Sequence, residues 1–235
     1  LTLNAKGEYN NIRGAFPYVV NADSVFKHLY TINQNGANLE KRKLYTASLT
    51  AQYKTKSTQF SSTTAYTYLS DTYEDYDADY SPYNMVTFEM PLQKQKTFTQ
   101  DFRMTGDYGK HIKLTAGIFG FIDTKPSQTV YKYGEDAVIM DPNAPYTSNI
   151  YAERKIYGIA GYANLDYAIN DQWTLTGGLR YDYDSRNLSF STDFVKPPDS
   201  SMVITPEQKL KSNDKAFSPR LSVSFKPGTD KMIYA

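Results

Sequence analysis

The stretch Tyr157-Gly158-Ile159-Ala160-Gly161-Tyr162-Ala163-Asn164-Leu165-Asp166-Tyr167 decides the reading of this chain. Its odd positions, Tyr157, Ile159, Gly161, Ala163, Leu165 and Tyr167, form an apolar stripe that starts and ends on a ring, and Asn164 and Asp166 lie opposite it. Two more segments are written the same way. Tyr45-Ala47-Leu49-Ala51-Tyr53 alternates with Thr46, Ser48, Thr50 and Gln52, and Trp173-Leu175-Gly177-Leu179-Tyr181 repeats the stripe. Alternation of this kind gives a β-strand one chemistry on each face. Rings eight to ten positions apart stand about 26–33 Å apart at about 3.3 Å per residue. A tilt of about 40° shortens that to about 20–25 Å, close to the apolar band of a transmembrane β-barrel with its aromatic girdles. The stripes read as membrane-crossing strands.

Charge placement agrees. Arg180, Asp182 and Asp184 alternate with Leu179, Tyr181 and Tyr183, so the ionic groups share one face, and Lys113 and Thr115 oppose Ile112, Leu114, Ala116 and Ile118. An arginine at the lipid midplane costs about 2–4 kcal/mol, so these charges are expected to face the lumen. The strand carrying Phe98, Phe102 and Met104 is less clean, because Gln100 falls on its apolar side. In the 58–72 segment Phe60, Tyr66 and Tyr68 argue for one face and Ala65 and Leu69 for the other, so its face stays open.

Working outward, about nine strands are expected, at 1–10, 42–55, 58–72, 95–106, 111–124, 153–169, 172–187, 215–226 and 230 to the end. Tight links at Lys54–Ser57, Gly106–Lys110, Asn170–Gln172 and Lys226–Asp230 alternate with long connections at roughly 11–41, 73–94, 125–152 and 188–214. A compact soluble domain seldom carries four such loops. They hold Pro17, Pro82, Pro91, Pro126, Pro142, Pro145, Pro197, Pro198 and Pro206. That suits proline's exclusion from ladders that hydrocarbon cannot repair.

Composition bounds the function. The formal charge is +1, with 26 basic and 25 acidic residues, which gives no footprint for nucleic acid. Mean hydropathy is −0.59 and no run reaches the length of a transmembrane helix; neither fact excludes a barrel whose lumen side is polar. The absence of cysteine excludes disulfides and thiolate metal sites. The outlier is 22 Tyr and 12 Phe against 1 Trp, and tyrosine suits a membrane–water boundary. The chain opens in the strand-like Leu1-Thr2-Leu3-Asn4-Ala5, with no signal-peptide pattern, and stops at Met232-Ile233-Tyr234-Ala235 as a strand begins. Both ends read as cut, so an internal piece of a longer protein is expected.

The run Tyr157–Tyr167, followed by Trp173-Thr174-Leu175-Thr176-Gly177-Gly178-Leu179-Arg180-Tyr181, resembles the barrel of TonB-dependent outer-membrane receptors. Phe217-Ser218-Pro219-Arg220-Leu221-Ser222-Val223-Ser224-Phe225 with Met232-Ile233-Tyr234-Ala235 resembles that family's next hairpin, and Thr99-Gln100-Asp101-Phe102-Arg103 resembles an earlier strand start. The similar stretches cover roughly 95–235. The resemblance implies an all-β antiparallel meander, part of a barrel of roughly 22 strands whose N-terminal plug and remaining strands lie outside this chain. It also implies the bacterial outer membrane, contact with its lipid, and uptake of a scarce ligand energised by TonB–ExbB–ExbD through the missing N-terminal part. A ferric siderophore leads by family frequency, with haem, cobalamin or a glycan, as in SusC-like importers, as alternatives.

No catalytic constellation, protein metal site or cofactor is read: His28 lies in a loop, His111 at a turn, and no nucleophile–base pair stands out. The acidic, tyrosine-laced Asp71–Tyr80 segment reads as a solvated loop. Its Asp75-x-Asp77-x-Asp79 spacing resembles a calcium loop without the glycine and glutamate. Tyr73, Tyr76, Tyr80 and Tyr83 are candidate ligand contacts, as is Arg154 beside Lys155 at a strand mouth, where a rim facing lipopolysaccharide or water is the alternative. Arg180, Asp182 and Asp184 are expected to form a lumen ion-pair ladder or to touch the plug. The glycines within strands, Gly117, Gly120, Gly158, Gly161, Gly177 and Gly178, suit sheet curvature or close plug approach. Two rival classes remain: a soluble β-sandwich that binds carbohydrate through tyrosines, and a passive porin or barrel enzyme.

Overall fold

The computed structural model describes residues 1–13, 27, 33–196, 200–228 and 231–234, with the side chains of 200, 201 and 203 left aside. His28, Pro17, Pro197, Pro198 and Ala235 lie outside the described residues. Nine strands follow one another: β1 (Thr2–Arg13), β2 (Leu39–Lys54), β3 (Thr58–Asp77), β4 (Val86–Tyr108), β5 (Ile112–Tyr133), β6 (Tyr146–Ala168), β7 (Trp173–Lys196), β8 (Ser200–Gly228) and β9 (Lys231–Tyr234). They pair antiparallel in chain order within one sheet. A short 3-10 helix, Glu135–Ile139, lies between β5 and β6.

The register carries the alternation from strand to strand. Tyr53, Phe60, Met104, Ala116, Ala163, Leu179 and Pro219 stand opposite one another in turn across seven strands. Leu114, Leu165, Gly177 and Leu221 form the next row. On the other side of the sheet run Thr50, Thr63, Asp101, Phe119, Ala160 and Asp182, then Gln52, Ser61, Arg103, Gly117, Tyr162 and Arg180. One side is apolar and the other polar because period-two writing in neighbouring strands is kept in phase. The open face of 58–72 is thereby settled: Phe60, Tyr66 and Tyr68 belong to the apolar side. Gln100 does lie on that side, where its amide donates to Ser62 Oγ at 3.0 Å and Thr64 donates to its oxygen.

Among the described residues nothing packs against the apolar side. Ile159 is 56% exposed, and its neighbours Leu165, Leu179, Tyr157 and Tyr181 are exposed too. Among the described residues the buried hydrophobics are only Val130, Ala137, Tyr146 and Ala160. A β-sandwich places a second sheet about 10 Å away; the described residues form one sheet, which removes that alternative.

The long connections are shorter than the sequence suggested. β3 runs to Asp77 and β4 starts at Val86, so 78–85 remain; β5 and β6 leave 134–145, and β7 and β8 leave 197–199. Pro91, Pro126 and Pro206 accordingly lie within strands. Pro91 falls at the register shift between Glu89 and Leu92, Pro206 beside the one between Phe190 and Thr192, and Pro126 opposite Glu153. The apolar stripe stops where the rings stop, but the ladder does not. Beyond the rings both faces can be polar, and water can serve a backbone group that a proline or bulge leaves unpaired.

Candidate functional site

Two clusters stand on the polar side, one between the ring rows and one at the end remote from the short turns, called the mouth here. In the first, Tyr162 is the single ring that β6 sends to the polar side between Tyr157 and Tyr167. Arg103 Nε donates to Tyr162 Oη at 3.0 Å, and that hydroxyl donates to Asp101 Oδ1 at 3.1 Å. The guanidinium carbons of Arg103 and Arg180 lie 6.0 and 5.9 Å from the Tyr162 ring centre, within cation–π range. Arg180 grips Asp182 through Nε and Nη2 at 2.7–3.0 Å. These groups line an open recess of about 750 Å³ with Thr50, Thr63 and Thr99. The expected ladder is thus split. Arg180 and Asp182 are joined, whereas Asp184 pairs with Arg186 at 3.6 Å. Arg103, Asp101 and Tyr162 were missed, although their parity beside Phe102 and Tyr157 placed them on this side.

At the mouth, Arg42 bonds Asp71 Oδ2 at 2.9 Å and lies 2.8 Å from Glu40. Asp71 is 4% exposed. Arginine's hydrogen bond to that carboxylate raises its already high pKa. Tyr73 and Tyr76 meet edge to face at 5.2 Å and continue through Phe88 at 5.1 Å from Tyr76 to Tyr131 at 6.2 Å. Burial, then the Asp71 or Glu40 charge, pushes both tyrosines' pKa up. A second stack joins Tyr133, Tyr146 and Phe194 at 4.4 and 4.1 Å. Tyr146 donates to Asp141 Oδ2 at 2.8 Å; burial and that acceptor raise its pKa.

The candidate tyrosines therefore separate. Tyr73 and Tyr76 are brought together; Tyr80 and Tyr83 sit in the 78–85 turn, both exposed. Arg154 is bound to Asp123 at 3.4 Å, and Asp123 also accepts from Gln95 and Thr97. The segment Asp71–Tyr80 is not a solvated loop. Its first part is strand, and Asp77 is 3% exposed. Ala37 N–H donates to Asp75, those of Asn35, Asp79 and Tyr80 to Asp77, and those of Ser81 and Val86 to Asp79. The three carboxylates fold the turn, serving as acceptors for backbone donors that the ladder leaves over. His111 contacts the Ala168 carbonyl at 2.7 Å.

A sheet with a lipid-exposable side, a polar side and a ringed boundary is what a family comparison meets here. The family model described as "TonB dependent receptor-like, beta-barrel" matches residues 1–235. This chain belongs to that family. No curated protein sequence matches it. Solved structures similar to this receptor barrel include the ferric yersiniabactin uptake receptor FyuA from Yersinia pestis, at 17% identity and TM-score 0.64, covering 84% of this chain and 28% of that one. The siderophore receptor PiuA from Acinetobacter baumannii is 13% identical with TM-score 0.56, covering 84% and 32%. The ferric-catecholate import receptor Fiu from E. coli K12 is 14% identical with TM-score 0.56, covering 90% and 38%. At these identities the likeness shows the fold, and the chain spans 28–38% of the neighbours' lengths.

Proposed function

We propose that this chain forms nine strands of a larger outer-membrane barrel of roughly 22 strands that imports a ferric siderophore, energised by TonB–ExbB–ExbD acting on a plug outside this chain. The observation that carries the reading is the one-sheet architecture, with rings and aliphatic side chains exposed on one side and ionic groups on the other. Such a sheet is stable where lipid covers the first side and a plug or water the second. The mouth cluster is the ligand wall: Tyr73, Tyr76, Tyr131 and Phe194 offer flat faces for an aromatic chelator, and Arg42 and Arg154, held by carboxylates, offer guanidinium N–H donors to a polar one. The Arg103–Tyr162–Arg180 recess is the plug contact. None of this is enzymatic. Tyrosine-rich walls also suit sugar rings, which keeps glycan import as the second reading.

The test uses the whole protein in its own membrane. Radiolabelled ferric-chelate uptake should depend on the protein and on TonB, and transcription of its gene should rise under iron starvation. Unchanged expression without iron, together with induction by a polysaccharide, transfers the assignment to glycan import.

A further inference from the structure

On the apolar side, the ring row nearest the mouth is followed one step outward by a second row of different chemistry. In the four strands that run from the mouth toward the short turns, the residue two positions before the ring is lysine: Lys43 before Tyr45, Lys96 before Phe98, Lys155 before Tyr157, Lys215 before Phe217. In three of the strands that run back, β3, β5 and β7, the position two beyond Tyr68, Ile122 or Tyr183 is an aliphatic hydroxyl, Ser70, Thr124 or Ser185, while in β1 Tyr9 stands opposite Lys43. The register makes some of these direct neighbours: Lys43 faces Ser70, and Thr124 stands between Lys96 and Lys155, which are therefore about 10 Å apart at the usual strand spacing. The others are staggered along the strands: Lys43 is level with Lys94, two residues from Lys96, and Lys155 is level with Lys211, four residues from Lys215.

Lys43, Lys96 and Lys215 have no carboxylate within ion-pair distance among the described residues, while Lys155 lies 3.1 Å from Glu153. Just outside the belt, a recess of about 450 Å³ between β6 and β8 is lined by Lys155, Asn187, Ser189, Lys209 and Lys211. Its two acids, Glu153 and Glu207, are already held by Lys155 and Lys209 at 3.1 and 3.3 Å. The other rim lacks the pattern: Lys110, Ile169 and Pro227 stand two positions beyond Tyr108, Tyr167 and Phe225.

We propose that this lysine–hydroxyl belt binds the phosphate groups of a glycolipid in the leaflet around the mouth. Lysine is a point charge suited to phosphate, hydroxyls add donors, and the rings one step inward sit against the first carbons of the acyl chains. A basic side chain near a membrane surface gains from anionic headgroups and loses that gain in salt. The proposal rests on the barrel reading given above.

The experiment purifies the whole protein from its outer membrane in mild detergent and counts retained lipid A by native mass spectrometry. The triple variant Lys43→Gln, Lys96→Gln, Lys215→Gln should retain at least fivefold less than wild type. Lys110→Gln should match wild type, and the three-arginine variant should recover most of the loss. In lipid discs, wild type should prefer lipid A to its dephosphorylated form and to phosphatidylglycerol. Equal retention by the glutamine variant overturns the proposal, as does equal affinity for the dephosphorylated lipid, a measurement that needs no variant to fold. Preference for phosphatidylglycerol overturns it in favour of nonspecific charge. Recovery of the protein from the soluble fraction would instead bring down the barrel reading itself.

Discussion

Between the two ring rows and beyond the mouth row, the same strands obey different rules. In the band, the pairings of β2 through β8 run without a register shift; every shift between those strands lies at the mouth, at Ser70–Tyr76, Glu89–Leu92 and Phe190–Asp193. Hydrocarbon offers no partner for a stranded N–H or C=O, so the ladder there must be continuous. Among the described residues Pro219, opposite Leu179, is the one proline inside the band. At the mouth, carboxylates such as Asp71, Asp77 and Asp79 take over as acceptors and the chain can bulge. The backbone is one design in two solvents.

The sharpest way to break that comparison is a charge on each part of the same side of β6. Ile159→Arg should cost about 2–4 kcal/mol of stability in lipid, whereas Tyr151→Arg, on the same side at the mouth, should cost about 0–1 kcal/mol. Urea unfolding of the whole protein in vesicles reads both. Equal costs would mean that no lipid lies against Ile159.

A smaller effect separates the two sides within the band. A Cβ on Gly117 would meet Tyr162 Oη and lie 2.6 Å from the Phe102 carbonyl oxygen, which cannot swing aside. On Gly161, at the adjoining position on the other side, it would meet nothing within 4 Å. Gly117→Ala should cost about 1–3 kcal/mol. Gly161→Ala should range from neutral to stabilising by about 1 kcal/mol. The same unfolding curves check this, and a costly Gly161→Ala would point to a neighbour packed on the apolar side. At the mouth, Arg42→Met removes the counter-charge of Asp71 and Glu40. Because Arg42 is itself part-exposed, about 1 kcal/mol is expected, seen as faster hydrogen exchange at the ends of β2 and β3 with the band unaffected.

What the sequence made legible follows the same division. A sheet with one apolar and one polar side imposes period two on every strand of the band, so the number of strands, their pairing order and the tight turns could be read from stripes such as Tyr157–Tyr167. Lys113 and Arg180 fell on the correct side for that reason. Beyond the rings no solvent enforces a period, and the extensions of β3 to β8 looked like loops. The candidate site lies mostly in this region, so Phe88, Tyr131, Tyr146 and Phe194, whose rings continue from or stack beside Tyr73 and Tyr76 or Tyr133, did not stand out. Asp71 looked solvated because its partner Arg42 is 29 residues away and is joined to it only by pairing.

The smallest expected effect is a pH response confined to the mouth. The Asp141 carboxyl is held below the usual carboxylate pKa, first by the Asn143 backbone N–H at 2.9 Å and then by the Tyr146 hydroxyl at 2.8 Å. A group whose pKa falls on folding stabilises the fold above its unfolded value, about 3.9 for Asp, and that contribution is lost as pH drops through the lower folded value. The Asn143 amide should therefore stay protected from exchange at pH 7 and lose protection below about pH 4, while amides of the Ala163–Leu165 rung, which has no carboxyl partner to lose, keep theirs. Asp141→Asn should abolish the pH dependence at Asn143 and leave the band as before. If protection at Asn143 were flat from pH 7 to 3 in the wild type, the 134–145 connection would be held by its other bonds, such as those of Gly134 and Asp136 to Met85 and Asn84, and the Asp141 carboxylate's part in shaping the mouth would have to be given up.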